Sequence, residues 1–186
     1  MEQVYLPLLS FILLLVIGNY ILTFAIIRKL NSTPKLVDNG LASGTTAPDF
    51  TAIMFDGKQV IRSDYEGTNL LLLFISPFCK PCRASLDLYL SLIPFAERRN
   101  IRLRLVCLSN LDDARALADE FKIKKEHLLV PSSEGSSFAK DYKVNVTPSY
   151  CFINEEGIVQ SSGYPGSEES SWKELIEKWA HFEIPA

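Results

Sequence analysis

Asn69 to Ile75 reads NLLLLFI, seven residues without a charge, and a run this uniformly apolar makes a strand buried on both faces in the middle of a sheet. Helical pattern begins at Lys80 and continues to Ile93, with Pro94 ending or kinking it. A central strand handing directly to a helix predicts the α/β class. The flanking pattern agrees. Thr51–Phe55 and Lys58–Ile61 form a hairpin across Asp56-Gly57, Ile101–Leu108 is a second strand, and Leu111–Phe121 is a helix capped by Asn110 or Ser109. Leu128–Val130 reads as a short strand and Ser136–Tyr142 as a short helix. Ser149–Ile153 and Ile158–Ser161 flank Asn154-Glu155-Glu156-Gly157 as a late hairpin, and Ser171-Trp172-Lys173-Glu174 fits a capping box for a final helix through about Ala180. Strand and helix alternate first and a hairpin comes late, so the central sheet is mixed.

The other long apolar stretch is N-terminal. Val4 to Ile27 carries no formal charge and is closed by Arg28-Lys29, which predicts a transmembrane helix spanning a hydrocarbon core of about 30 Å. A cleaved signal peptide fits less well, because the run is too long, no basic residue precedes it and no small-x-small site clearly follows. A lipoprotein signal fails because the first cysteine is Cys79. Residues 1–30 are thus expected to be an anchor, residues 31–46 a flexible linker, and residues 47–186 the globular domain. The cations Arg28, Lys29 and Lys35 favour a cytoplasmic domain by the positive-inside rule. The cysteine chemistry favours the extracytoplasmic side, which is the placement expected here.

Composition limits what the domain does. Without the anchor, about 155 of the 186 residues remain, enough for one core and too few for two large domains. The net charge of −3 divides into +1 over residues 1–30 and −4 beyond, which excludes a basic nucleic-acid surface. Four cysteines are too few for a disulfide-built scaffold of this size.

Their spacing carries the chemistry. Cys79-Lys80-Pro81-Cys82 falls where the buried strand meets the helix, so free main-chain N–H groups face the first sulfur and favour its thiolate. Lys80 places a cation beside that charge, and Pro81 presets the first helical turn. Cys79 reads as nucleophile and Cys82 as resolving thiol. Two inert core cysteines are the structural alternative. Zinc needs two more ligands, and Cys107, Cys151, His127 and His181 form no second pair at finger or ribbon spacing. No cofactor or metal is expected. Val146-Thr147-Pro148 precedes a strand, where an X-Pro bond can be cis and leave the preceding main chain open to an incoming peptide.

Together the buried strand, CKPC at a helix start, and Thr147-Pro148 before a hairpin and terminal helix resemble the thioredoxin fold. Ala47-Pro48-Asp49-Phe50, Asp56-Gly57 and the single apolar span are similar to the membrane-tethered thiol-disulfide oxidoreductases of the TlpA/ResA type in the redoxin superfamily, and to their MauD-like members in methylamine dehydrogenase maturation. The resemblance covers Ala47 to about Ala180. It implies that Cys79 attacks a client disulfide, that Cys82 resolves the mixed disulfide, and that a cis Pro148 faces them while the Thr147 main chain pairs with the client. It also places the motif strand between those of Cys107 and Cys151, too far apart to bond, which leaves both as buried apolar residues, Cys151 with a possible secondary redox role. The partners implied are a client protein with disulfide or thiols, a membrane or soluble redox partner, and the bilayer through residues 4–27.

Departures from the family pattern are specific. Phe78 replaces a common Trp and keeps an apolar, client-facing rim; Leu73 stands at thioredoxin's buried acid; Ser85 stands where TlpA-like enzymes carry a Glu. The nearest acid along the helix, Asp87, matches no family role and reads as a solvated surface residue. Asn31-Ser32-Thr33 and Asn145-Val146-Thr147 match the glycosylation pattern, a short motif that commonly arises by accident. Three other functions compete with disulfide exchange. A thiol peroxidase needs P-x-x-x-[TS]-x-x-C; Ser76 fits but Leu72 replaces the proline. A copper metallochaperone is disfavoured because Cys82 follows Cys79 by three rather than four and no third ligand is assured. A non-catalytic domain gripping clients around Pro148 is the last.

Overall fold

The computed structural model describes residues 2–31, 40–132, 137–165 and 170–180; His181, Ser32, Thr33, Ser136 and residues 32–39 of the expected linker lie outside these. The chain divides into two compact units, Met1–Val37 and Asp38–Ala186. The first is one helix, α1 (Glu2–Asn31). Its large apolar side chains from Phe11 to Phe24 are 46% to 75% exposed and surround the whole circumference, with no single buried stripe. Among the described residues, whose side chains in α1 run from Ser10 to Ala25, no helix is long and apolar enough to cross a membrane.

The second unit is built on a seven-stranded mixed sheet in the order β2-β1-β5-β4-β3-β6-β7. The strands are β1 (Thr51–Met54), β2 (Gln59–Ile61), β3 (Asn69–Ile75), β4 (Ile101–Cys107), β5 (Leu128–Pro131), β6 (Ser149–Ile153) and β7 (Val159–Gly163). β3, β4 and β5 run parallel, while β6 lies antiparallel to β3 on its other side. The apolar run is therefore central, and its side chains divide by the strand period of two. Leu71, Leu73 and Ile75 enter one core with α2 (Lys80–Glu97), α3 (Leu111–Phe121) and α5 (Ser170–Ala180); Leu70, Leu72 and Phe74 enter the other. That second core is aromatic. Phe138 of α4 (Ser137–Asp141) stacks on Phe50 at 4.5 Å, and Tyr142 donates to the Pro48 carbonyl at 2.7 Å.

Local chemistry explains the small elements. The β1–β2 turn closes because the Asp56 carboxylate accepts from Lys58 N–H at 2.9 Å and Gly57 takes φ 87°, a conformation costly for residues with a Cβ. Asn110 caps α3 by accepting from Asp113 N–H at 2.9 Å.

Three sequence expectations need correction. α2 does not end at Ile93 but continues to Glu97 with Pro94 inside it. The proline removes one helical hydrogen bond, and burial of Ile93 and Ala96 against the sheet offsets that loss. α5 starts at Ser170, one residue before the serine read as its cap. Most consequentially, residues 40–46 are not a free linker. Gly44 N–H bonds the Val159 carbonyl at 2.8 Å, Val159 N–H bonds Thr45, and the Ser162 hydroxyl donates to the Leu41 carbonyl at 2.6 Å. The segment covers the outer edge of β7, whose main-chain groups would otherwise lie open.

One buried polar group stands out. His127, 4% exposed just before β5, has no hydrogen-bond partner for Nδ1 among the described residues. Burial, helped by the nearby Arg104 cation, pushes its pKa below the ordinary value, and Glu126 and Glu97 only partly counter this. The folded state thus holds it neutral, whereas the unfolded chain takes a proton near pH 6.5, so stability is fully present above about 6.5 and declines as the pH falls below it. Urea unfolding between about pH 7.5 and 5.5 should show this decline, and His127→Gln should flatten it. Parallel curves for both proteins would show that His127 is not responsible.

Candidate active site

The C-terminal end of β3 delivers the chain into Ser76-Pro77-Phe78, and Cys79 then occupies the N-cap of α2. Its sulfur accepts the Cys82 main-chain N–H at 3.3 Å, as a capping oxygen would. Because β6 runs antiparallel to β3 with Phe74 opposite Ser149, the residues just before β6 arrive at the same end of the sheet. The Cys79 thiol donates to the Thr147 carbonyl at 3.3 Å, and the Thr147–Pro148 peptide is cis. Cys79, Cys82, Thr147 and Pro148 thus converge, although 68 residues separate Cys79 from Thr147.

The two thiols are inequivalent. Cys79 is half-buried and Cys82 is 2% exposed. Burial acts to raise the Cys79 pKa, but hydrogen bonds from the Cys82 thiol, the Thr147 side chain and the Cys82 N–H outweigh it and hold the thiol below its ordinary range. Cys82 is pushed up to about 11, first by burial and then by donating to Cys79, with the Ser76 main chain and Thr147 opposing weakly. The donors that lower Cys79 are neutral groups. Lys80 is exposed at the first turn. The thiolate is favoured mainly by the helix start and the proline loop.

The remaining sequence candidates fall into place around this pair. Phe78 is 75% exposed and Val146 43%, an apolar rim on either side of Cys79. Pro81 lies within the first turn of α2, and Pro148 is buried. Leu73 is buried in β3, Asp87 is exposed, and the half-buried Ser85 hydroxyl bonds Tyr89, whose pKa burial raises to about 12. Cys107 and Cys151 are free thiols in opposite cores, each raised to about 12 chiefly by burial. The sequence reading missed the Thr147 hydroxyl and Arg83. Nothing local marks either: Thr147 lies 68 residues from the sulfur it acts on, and Arg83 reaches Glu120 and Phe121 of α3 as well as the nearby Pro77 carbonyl.

Comparison with known proteins follows this geometry. The redoxin family model matches residues 42–176. The chain belongs to the redoxin family. It is 27% identical over 156 residues to the thiol-disulfide oxidoreductase ResA of Oceanobacillus iheyensis, covering 81% of this chain and 77% of that one. It is 25% identical to the thioredoxin-like protein YneN of Bacillus subtilis, covering 71% and 77%. Among solved structures, the thioredoxin domain of a thiol-disulfide oxidoreductase from Bacteroides vulgatus superposes with a TM-score of 0.64 at 19% identity, covering 75% of this redoxin and 98% of that chain. A DsbE-type thiol:disulfide interchange protein from Chlorobium tepidum gives 0.63 at 22% identity over 75% and 98%. The fold of the second unit is thioredoxin-like, with the mixed sheet expected.

The inequivalence of the thiols sets the pH dependence of alkylation. Iodoacetamide should modify one thiol rapidly at neutral pH, with a midpoint below the ordinary thiol range, and Cys79→Ser should remove that phase. Thr147→Val should raise the midpoint more than Lys80→Gln does. The reverse order would make the Lys80 charge the dominant influence.

Proposed function

We propose that this chain, a thiol-disulfide oxidoreductase of the redoxin family, exchanges disulfides with protein clients through Cys79 and Cys82. The observation that carries the reading is the arrangement at Cys79. A half-buried sulfur with a lowered pKa caps α2, beside a buried partner thiol raised to about 11 and the cis-proline loop.

In the reducing direction the Cys79 thiolate attacks one sulfur of a client disulfide. A Cys79–client bond forms and the other client sulfur leaves as thiolate. Cys82 then loses its proton and attacks the Cys79 sulfur, closing the Cys79–Cys82 disulfide and releasing the second client thiolate. The client gains two electrons and the protein loses two; the oxidising direction is the reverse. The raised Cys82 pKa keeps that thiol protonated until the mixed disulfide removes the charge of its neighbour. Phe78, Val146 and the Thr147 main chain form the surface on which the client lies.

The chain is further inferred to be anchored through residues 4–27, with the domain on the extracytoplasmic face and its client an extracytoplasmic or membrane-associated protein under maturation. The support is the uncharged run from Val4 to Ile27 and the all-round exposure of apolar side chains on α1. A tethered exchanger also has most to do where cysteines oxidise.

Cys82→Ser should trap mixed disulfides with clients, because attack remains and resolution is lost, whereas Cys79→Ser should trap none. Equal recovery from both variants would remove the role assignment. Impermeant thiol reagents should reach Cys79 in intact cells or spheroplasts, and protection until lysis would place the domain on the cytoplasmic face.

A further inference from the structure

The residue after the buried thiol is tied to the loop before the exposed one. Arg83 N–H bonds the Cys79 carbonyl at 3.1 Å, and its guanidinium Nη1 donates to the Pro77 carbonyl at 3.4 Å. The other arm of the guanidinium, Nη2, pairs with the Glu120 carboxylate near the end of α3. Its carbon also lies 5.3 Å from the centre of the Phe121 ring. The N–H bond is the first helical bond of α2, so the side chain holds the loop at the Pro77 carbonyl alone and fastens it to α3, a helix that contributes no group to the thiol chemistry. Between the Pro77 carbonyl, held by the guanidinium, and Cys79, held as the N-cap of α2, stands Phe78, 75% exposed, whose N–H bonds the Ser76 hydroxyl at 3.4 Å. A large apolar ring held out in water is not kept there by its own packing. It is kept there by the main chain on both sides.

We propose that Arg83 is a positioning residue that clamps the Pro77–Cys79 loop to α3 and so presents Phe78 to protein clients, setting how well this redoxin takes a polypeptide disulfide compared with a small one. The proposal rests on the reading of Phe78 as part of the client-docking rim. The planar fork of arginine suits three partners in different directions, whereas a lysine ammonium, a point charge, satisfies one. The hydrogen bonds that lower Cys79 come from Cys82 and Thr147, so loss of Arg83 acts on docking and leaves the thiolate in place.

The test uses the full chain with insulin as protein disulfide and oxidised glutathione as small disulfide. Arg83→Ala should slow exchange with insulin roughly fivefold to tenfold, on the scale of one lost ordinary hydrogen bond. The glutathione rate and the pH midpoint of Cys79 alkylation should not change. Arg83→Lys should recover only part of the loss, and amide exchange at Phe78 to Lys80 should quicken in Arg83→Ala. Phe78→Ala should by itself slow insulin exchange, and in that background Arg83→Ala should add nothing. An unchanged insulin rate in Phe78→Ala would overturn the docking rim and the clamp's purpose with it. A slow Phe78→Ala with an undiminished further effect of Arg83→Ala would overturn the clamp alone. Equal slowing toward insulin and glutathione, or full recovery by lysine, would also overturn it.

Discussion

Everything at the reactive end of this molecule depends on how β6 pairs with β3. The register that sets Phe74 opposite Ser149 leaves CKPC and Thr147-Pro148 just beyond the same end of the sheet, so the Cys79 thiol meets the Thr147 carbonyl. A slip of one residue would invert every β6 side chain, turning Tyr150 away from the α2 core and Cys151 toward it. The burial of β3 on both faces is what forbids the slip. Its alternating leucines must fill two cores at once, and an interior packed to this density tolerates little displacement.

The same sheet shows why location outweighs residue type. Four cysteines share one domain, yet three are raised by burial and only Cys79 is lowered. Cys107 and Cys151 sit inside strands, where main-chain N–H groups are committed to the ladder and none is left for a sulfur. Cys79 sits at a helix start, where the N–H groups of the first turn lack helical partners. Burial is unfavourable for every thiolate in the domain, and at Cys79 alone donors outweigh it.

Coverage of the sheet edges bears on where the proposed client strand would add. Residues 40–46 occupy the outer side of β7, and Gly40 makes this approach possible: its φ is 102°, and a Cβ there would stand 2.3 Å from the Ser162 hydroxyl. The opposite edge, β2, is only three residues long. Under the proposed function this directs a client to the proline loop, where the Thr147 carbonyl lies beside the sulfur.

Much of this was legible in the residues themselves. Asn69–Ile75 determined a central strand, the Cys79 and Cys82 spacing determined a thiol pair at a helix start, and Asn110 determined the cap of α3, because each is a property of a short segment and its own main chain. The uncharged run from Val4 to Ile27 likewise lies within one helix, α1. Other features depended on distant residues. Pro94 reads as a helix end until the sheet surface that buries Ala96 is in place, and residues 40–46 read as a tether until the β7 edge offers hydrogen bonds. Lys80 reads as the charge that activates Cys79, whereas the folded chain supplies the Thr147 hydroxyl, which lies far away in sequence and carries no charge to mark it. Nothing in the sequence marks Arg83, because its partners on α3, Glu120 and Phe121, meet it only after α2 and α3 have packed. Local propensity and periodicity are written in consecutive residues. Hydrogen bonds and desolvation between segments follow from the order and register of the strands, and those the tertiary structure decided.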